Sequence, residues 1–207
     1  MKITYAITVC NEQVEIIRLV EMILDNKRPE DDIVVLYDQT NGNSEIPNWL
    51  TKKSKLPGFQ FWRGYFKGHF ADWKNKLTEY CSGDYIFQID ADELPNEGLI
   101  TLLPSILEEN PHNEVYLVPR VNTVEGLTNE HIQKWRWRVD KKGWVNWPDY
   151  QMRIWKNKPE IKWKNKVHEV LNGHKTFSAL PSIEGLALYH PKTIDRQEKQ
   201  NAYYDTL

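Results

Sequence analysis

Three acids stand within four residues in "FQIDADELPNEG": Asp90, Asp92 and Glu93. Carboxylates this close repel one another and cannot sit unpaired in a dry core. Either the free N–H groups of a helix start or a bound cation would satisfy them. Clustered carboxylates are hard oxygen ligands suited to Mg2+ or Mn2+. Such an ion neutralises a diphosphate as the bond to it breaks. The Asp-x-Asp pair alone is weak evidence, because 12 aspartates in 207 residues supply about 0.7 such pairs by chance. Acids are also favoured at helix N-termini, and "DELPNEG" precedes a helical pattern. The surroundings must decide.

The elements around the acids alternate. "KITYAITVC" reads as a buried strand. A helix follows in "NEQVEIIRLVEMILDNK", with Asn11 as a cap and Val14, Ile17, Val20 and Leu24 as its apolar stripe. "DDIVVLYD" is a second strand, "IPNWLTKKS" a short helix and "GFQFWRG" a third strand. In "HFADWKNKLTEYC" the residues Phe70, Trp73, Leu77 and Tyr80 form one helical stripe, with Asp72, Asn75, Lys76 and Glu79 facing elsewhere. Tyr85–Ile89 is the strand that runs into the acids. "NEGLITLLPSILEENP" is a helix that Pro104 breaks or restarts, and "NEVYLVPRVN" is one further strand.

Strand and helix at this spacing predict a mostly parallel, doubly wound sheet covered on both faces. Ligands bind such sheets outside the carboxyl ends of the strands. Three predicted strands end in polar residues, at Cys10-Asn11-Glu12, at Asp38 and at Asp90-x-Asp92-Glu93. All three ends share one edge, which favours a functional role for the acids.

The second half differs. Gln133–Leu171 is rich in Trp, Lys and Arg and reads as short antiparallel strands and hairpins. "SIEGLALYHP" adds a strand, and "TIDRQEKQNAYYDTL" a final polar helix capped by Thr193. The predicted division is an α/β half over 1–122 and a smaller antiparallel β-rich half over 123–207, within one continuous domain. The tryptophans between Trp135 and Trp163 admit two readings. Sugar rings stack on aromatic planes, so Trp144, Trp147 and Trp155 would line an acceptor groove. Alternatively, they fill the small β-rich half.

Composition removes other classes. With 27 basic and 29 acidic residues the net charge is −2, which gives no footprint for nucleic acid. The N-terminus lacks a signal-peptide pattern, and the longest apolar runs are strand-sized, so neither a leader nor an integral membrane segment is expected. Two cysteines, Cys10 and Cys81, make no disulfide framework. A cytoplasmic protein is expected, with peripheral attachment to a membrane left open.

Several of these stretches resemble the family 2 glycosyltransferases, which have the GT-A fold. "AITVCNEQ" is similar to that family's opening strand, and "VVLYDQTNGN" to its second. "FADWKNKLTEYCSGDYIFQIDADE" resembles its helix, Gly-Asp, apolar strand and Asp-x-Asp-Glu. "KVHEVL" resembles a Val-His-Glu segment of one branch, and "LYHP" a later strand ending in His. The resemblance spans about Lys2 to His190.

It implies an inverting, metal-dependent transfer of a sugar from a nucleotide-diphosphate donor, with UDP the favoured nucleotide. The implied acceptor is a glycan or lipid-linked molecule, as in polysaccharide synthesis. Thr8, Val9, Asn11, Glu12 and Asp38 are then expected at the nucleotide, and Asp72, Asn75 and Lys76 at the diphosphate or ribose. Asp90 and Ala91 would contact the donor, Asp92 and His190 would hold the metal, and Glu93 would support the site. A histidine ligand favours Mn2+ over Mg2+. Inversion by single displacement needs a base for the acceptor hydroxyl. The Glu-Asp and Gln-x-x-Arg-Trp segments of larger members are absent here, so Glu169 is the expected base, His168 its neighbour on the acceptor side, and Asp149 the reserve. On an extended segment His168 and Glu169 would face opposite ways. Rival readings are a nucleotidyltransferase of similar fold, against which the lack of a Gly-rich basic loop in "VCNEQVE" speaks, and a non-catalytic sugar-binding relative.

Overall fold

A computed structural model describes residues 1–204. In chain order it contains β1 (Ile3–Val9), α1 (Gln13–Asn26), β2 (Asp32–Asp38), α2 (Glu45–Lys53), β3 (Phe59–Gly64), α3 (Phe70–Thr78) and β4 (Tyr85–Asp90). Next come β5 (Leu94–Pro95), α4 (Glu97–Glu109), β6 (Val115–Val118), β7 (Arg120–Glu125) and α5 (Asn129–Trp135). The chain continues through β8 (Gln151–Lys156), β9 (Lys162–Lys164), β10 (Val170–Asn172), β11 (Phe177–Ala179), β12 (Leu188–Thr193) and α6 (Ile194–Tyr204).

The main sheet has seven strands in the order β11-β6-β8-β4-β1-β2-β3. Strands β1 to β4 are mutually parallel, while β8 runs antiparallel between β4 and β6. The buried residues of β1, β2 and β4 are dominated by Ile, Val, Leu, Tyr and Phe, which suits strands covered on both sides. One face packs against α1, α2 and α4. The other is covered by α3 and the antiparallel β9–β10 hairpin, whose Trp163 and Leu171 join Trp73, Leu77 and Trp155. A second sheet, β5-β12-β7, stands beside the end of β4.

Several expectations change. The apolar face of α1 is Ile16, Leu19, Val20 and Ile23, and Val14 is 77% exposed. "QVEIIRLVEMIL" carries two overlapping stripes, and packing on the sheet selects the second. Asn11 does not cap α1: Glu12 holds the N-cap position without a side-chain bond to the helix. Pro104 lies inside an unbroken α4 rather than at a break. "NEVYLVPRVN" is two strands, because Pro119 separates β6 in the large sheet from β7 in the small one. Part of the stretch read as hairpins is α5, which ends at Arg136 in a left-handed conformation (φ 55°). The line between residues 122 and 123 falls within β7, and β8 from beyond it sits inside the first half's sheet. Helix α6 begins after Thr193, whose hydroxyl accepts from the Arg196 N–H at 3.3 Å. The last three residues of the expected helix lie outside the described residues.

Candidate active site

Register places the polar strand ends together. Thr8 pairs with Asp90, Val9 with Tyr37, and Asp38 with Gly64, so β1, β2 and β4 finish on one edge. The acids do not start α4. Asn96 does, accepting from the Gly98 N–H at 2.9 Å.

The three acids separate into two roles. Asp90 and Glu93 face arginines. Arg153 on β8 lies 2.7 Å from Asp90 Oδ2 and donates to both oxygens of Glu93 at 2.6 and 3.0 Å. Arg120 donates to Glu93 Oε1 at 2.9 Å and to Asp149 Oδ2 at 2.7 Å. Asp90 Oδ1 also accepts from Gln88 at 2.8 Å and from the Thr8 hydroxyl at 3.3 Å, with Lys74 Nζ 3.6 Å away. Burial alone would raise both carboxyls. Arg153, seconded by Lys74 at Asp90 and by Arg120 at Glu93, outweighs it and holds both below their ordinary values. Asp90 is already fully paired, although its side chain keeps 30% of its surface open.

Asp92 instead faces His190. His190 Nε2 lies 3.3 Å from Asp92 Oδ2, and Nδ1 lies 2.9 Å from Asn122 Oδ1. The amide nitrogen of Asn122 donates to Asp149 Oδ2 at 2.8 Å and to the Val145 carbonyl at 3.4 Å. This fixes the amide oxygen toward His190, so Nδ1 carries the proton. In the neutral ring Nε2 then turns a lone pair toward Asp92 Oδ2, an oxygen that also has Arg196 Nη2 at 3.3 Å. Burial pushes His190 below its ordinary value, against the pull of Asp92, and so disfavours a second proton on the ring. By residue type the pair fits a divalent cation, and the Asp149–Asn122 chain behind it orients the imidazole. Among the described residues no group of three or more His, Cys, Asp or Glu is placed to hold a metal.

Glu169 reaches Asp90 through Lys74. Its Oε1 is paired with Lys74 Nζ, which also sits 4.8 Å over the Trp163 ring. His168 is exposed and left-handed at φ 53°, so a turn rather than strand alternation separates it from Glu169. Asp149 accepts from Arg120, Asn122 and Gln151. Burial would raise its pKa, but Arg120 and Asn122 hold it below the ordinary value.

Other expected positions are occupied differently. Asp38 accepts from the Thr40 and Phe66 N–H groups at 2.8 and 3.0 Å, and its second oxygen has Cys10 Sγ at 3.6 Å. Asn11 is exposed just past the end of β1. Glu12 accepts the Cys10 and Asn11 N–H groups. Val9 and Ala91 are buried in the core, and the Ala91 N–H is taken by the Thr8 carbonyl. Asp72 is 77% exposed beside His69, Asn75 exchanges two bonds with the Trp163 backbone, and Lys76 covers the Trp73 ring. The α3 residue that reaches the acids is Lys74. Trp155 is 1% exposed and packs edge-on against Trp163, so it is core and not acceptor wall. Trp147, half-buried against Trp144 and two residues from Asp149, keeps an exposed surface.

Sequence reading missed Lys74, Arg120, Asn122, Arg153 and Arg196. Two carried a signal. Arg153 interrupts the apolar strand "MRIW", and Lys74 sits beside Trp73 on the buried side of α3. A charge in such a place demands an opposite one.

A mostly parallel α/β sheet thus carries the acids at the carboxyl edge of its strands, where such sheets bind ligands. The chain belongs to the family described as Glycosyl transferase family 2, whose profile matches residues 4–178. No curated protein matches it. Among solved structures it is similar to S. aureus TarS 1–349, at 13% identity and a TM-score of 0.64, covering 92% of this chain and 60% of that one. The same fragment in complex with UDP-GlcNAc gives 14% identity and a TM-score of 0.63, covering 93% and 59%. Full TarS gives 13% and 0.63, covering 97% and 38%. The chain thus spans about 60% of the TarS fragment's length. These likenesses establish the shared GT-A-like fold.

Proposed function

We propose that the chain transfers a sugar from a nucleotide-diphosphate donor to a hydroxyl of a glycan or lipid-linked acceptor, with inversion. Family membership and the likeness to a fold solved with UDP and UDP-GlcNAc support the donor class. The observation that carries the reading is His190 Nε2 turned on Asp92 Oδ2 at 3.3 Å, with its tautomer fixed by Asn122. Those two side chains would hold Mn2+ or Mg2+, with donor oxygens and water as further ligands. A cation there supplies charge neutralisation for the departing diphosphate.

The chain's own residues do the rest. Asp38 and Thr8, at neighbouring strand ends, would meet the nucleoside, with the paired Asp90 beside them. Lys74 orients the Glu169 carboxylate, which takes the acceptor hydroxyl proton. As that oxygen bonds to the anomeric carbon, the bond to the diphosphate breaks on the opposite side. Trp147 offers its exposed face to the acceptor. No described helix is long and apolar enough to cross a membrane.

Thermal unfolding tests the reading with UDP-, GDP- and dTDP-sugars, each with Mn2+ and then with EDTA. Stabilisation by one donor that EDTA abolishes is expected. Failure of every donor to stabilise the protein with Mn2+ present would sink the proposal.

A further inference from the structure

The C-terminal helix reaches the donor side of the cleft through one side chain. Arg196 Nη2 lies 3.3 Å from Asp92 Oδ2 and 3.7 Å from Glu12 Oε1, and its Nη1 lies 3.1 Å from Glu15 Oε1. Asp92 follows β4, whereas Glu12 and Glu15 follow β1. The guanidinium therefore spans the two strand ends between which a nucleotide diphosphate would lie. It touches the same Asp92 oxygen that faces His190. Its side chain is 36% exposed, so it has room to exchange partners.

Two cations cannot share that oxygen comfortably. A divalent ion between Asp92 and His190 would repel a guanidinium at this distance. Glu12 and Glu15 would keep the displaced arginine at the mouth of the cleft, and the planar fork matches phosphate oxygens in pairs. Resting on the metal and donor reading above, we infer that Arg196 is an exchanging clamp. It neutralises Asp92 while the site is empty and passes to the diphosphate when the cation and nucleotide enter.

The inference has an unusual signature, because one substitution should move two affinities in opposite directions. Removing Arg196 removes a competitor of the metal and a ligand of the diphosphate. Mn2+ binding, followed by the EPR signal of the free ion, should tighten several-fold in Arg196→Ala with no nucleotide present. Calorimetric titration with UDP, GDP or dTDP at saturating Mn2+, read for whichever binds the wild type most tightly, should weaken about tenfold. Arg196→Lys keeps the charge and loses the fork, so its Mn2+ affinity should stay near wild type while its nucleotide affinity falls. That variant carries the test if Arg196→Ala unfolds α6. Both affinities unchanged in Arg196→Ala, or the Lys variant binding nucleotide as wild type does, would overturn the clamp alone. A wild-type protein that binds no Mn2+ would overturn the metal reading and the clamp with it.

Discussion

Arg153 holds Asp90. Its Nη2 stands 2.7 Å from the carboxylate that ends the neighbouring strand, and the same nitrogen reaches Glu93. One arginine from the antiparallel strand thus bridges two of the three clustered acids, with Lys74 and Arg120 adding charge, and Asp92 is left for another cation. Arg153→Met should strand two buried carboxylates and cost about 3–5 kcal/mol, the range for removing one partner of a buried pair. Urea unfolding measures it. Adding Glu93→Leu should restore part of the loss. A change below about 1 kcal/mol would mean the pair behaves as a solvated surface contact.

Asn122 stands behind His190 and fixes its tautomer. Asn122→Ala should therefore weaken Mn2+ binding by about 10–100-fold, the usual consequence of losing an outer partner of a metal ligand. Titration of the ion against the folded variant reads this directly. Wild-type affinity would remove the orienting role.

Glu169 and Lys74 form a pair whose loss should appear in turnover. Glu169→Gln keeps the shape and removes the base, so donor turnover, followed as nucleoside diphosphate release, should fall by about 10²–10⁴. Donor KM should change little, since the proton moves only during reaction. Lys74→Met should also lower kcat, by disorienting the carboxylate. A Glu169→Gln enzyme working at the wild-type rate would end its candidacy.

Trp155 separates core from cleft. Trp155→Ala should cost about 3–5 kcal/mol, as for other buried aromatic truncations. Trp147→Ala should cost markedly less, because its ring is only partly covered. Denaturant midpoints for the two variants decide it, and equal losses would contradict the assignment of Trp147 to the acceptor side.

Much of the first half was legible because its signals are local. The β-branched runs of β1, β2 and β4 and the helices between them follow from short-range pattern, and the common polar edge follows from a parallel sheet. The partners of the acids were not legible. Arg153 lies 63 residues from Asp90, on a strand that enters the sheet antiparallel between β4 and β6. No periodicity encodes which strand will be inserted there. The α3 stripe was nearly right, yet Lys74 was passed over because a lysine is ordinarily solvated. Trp155 went the other way, since a tryptophan suits a core and a sugar face equally well.

The position of β8 bears on how the molecule comes into being. In the large sheet it is the strand between β4 and β6, so β6 and β11 join the parallel strands' hydrogen-bonded sheet only through it. A nascent chain that has emerged only as far as Tyr150 already carries Asp90 and Glu93 but lacks Arg153. The same strand that closes the sheet brings the counter-charge of Asp90 and Glu93, so closing the sheet and pairing those two acids depend on one segment. A fragment ending before β8 would have neither.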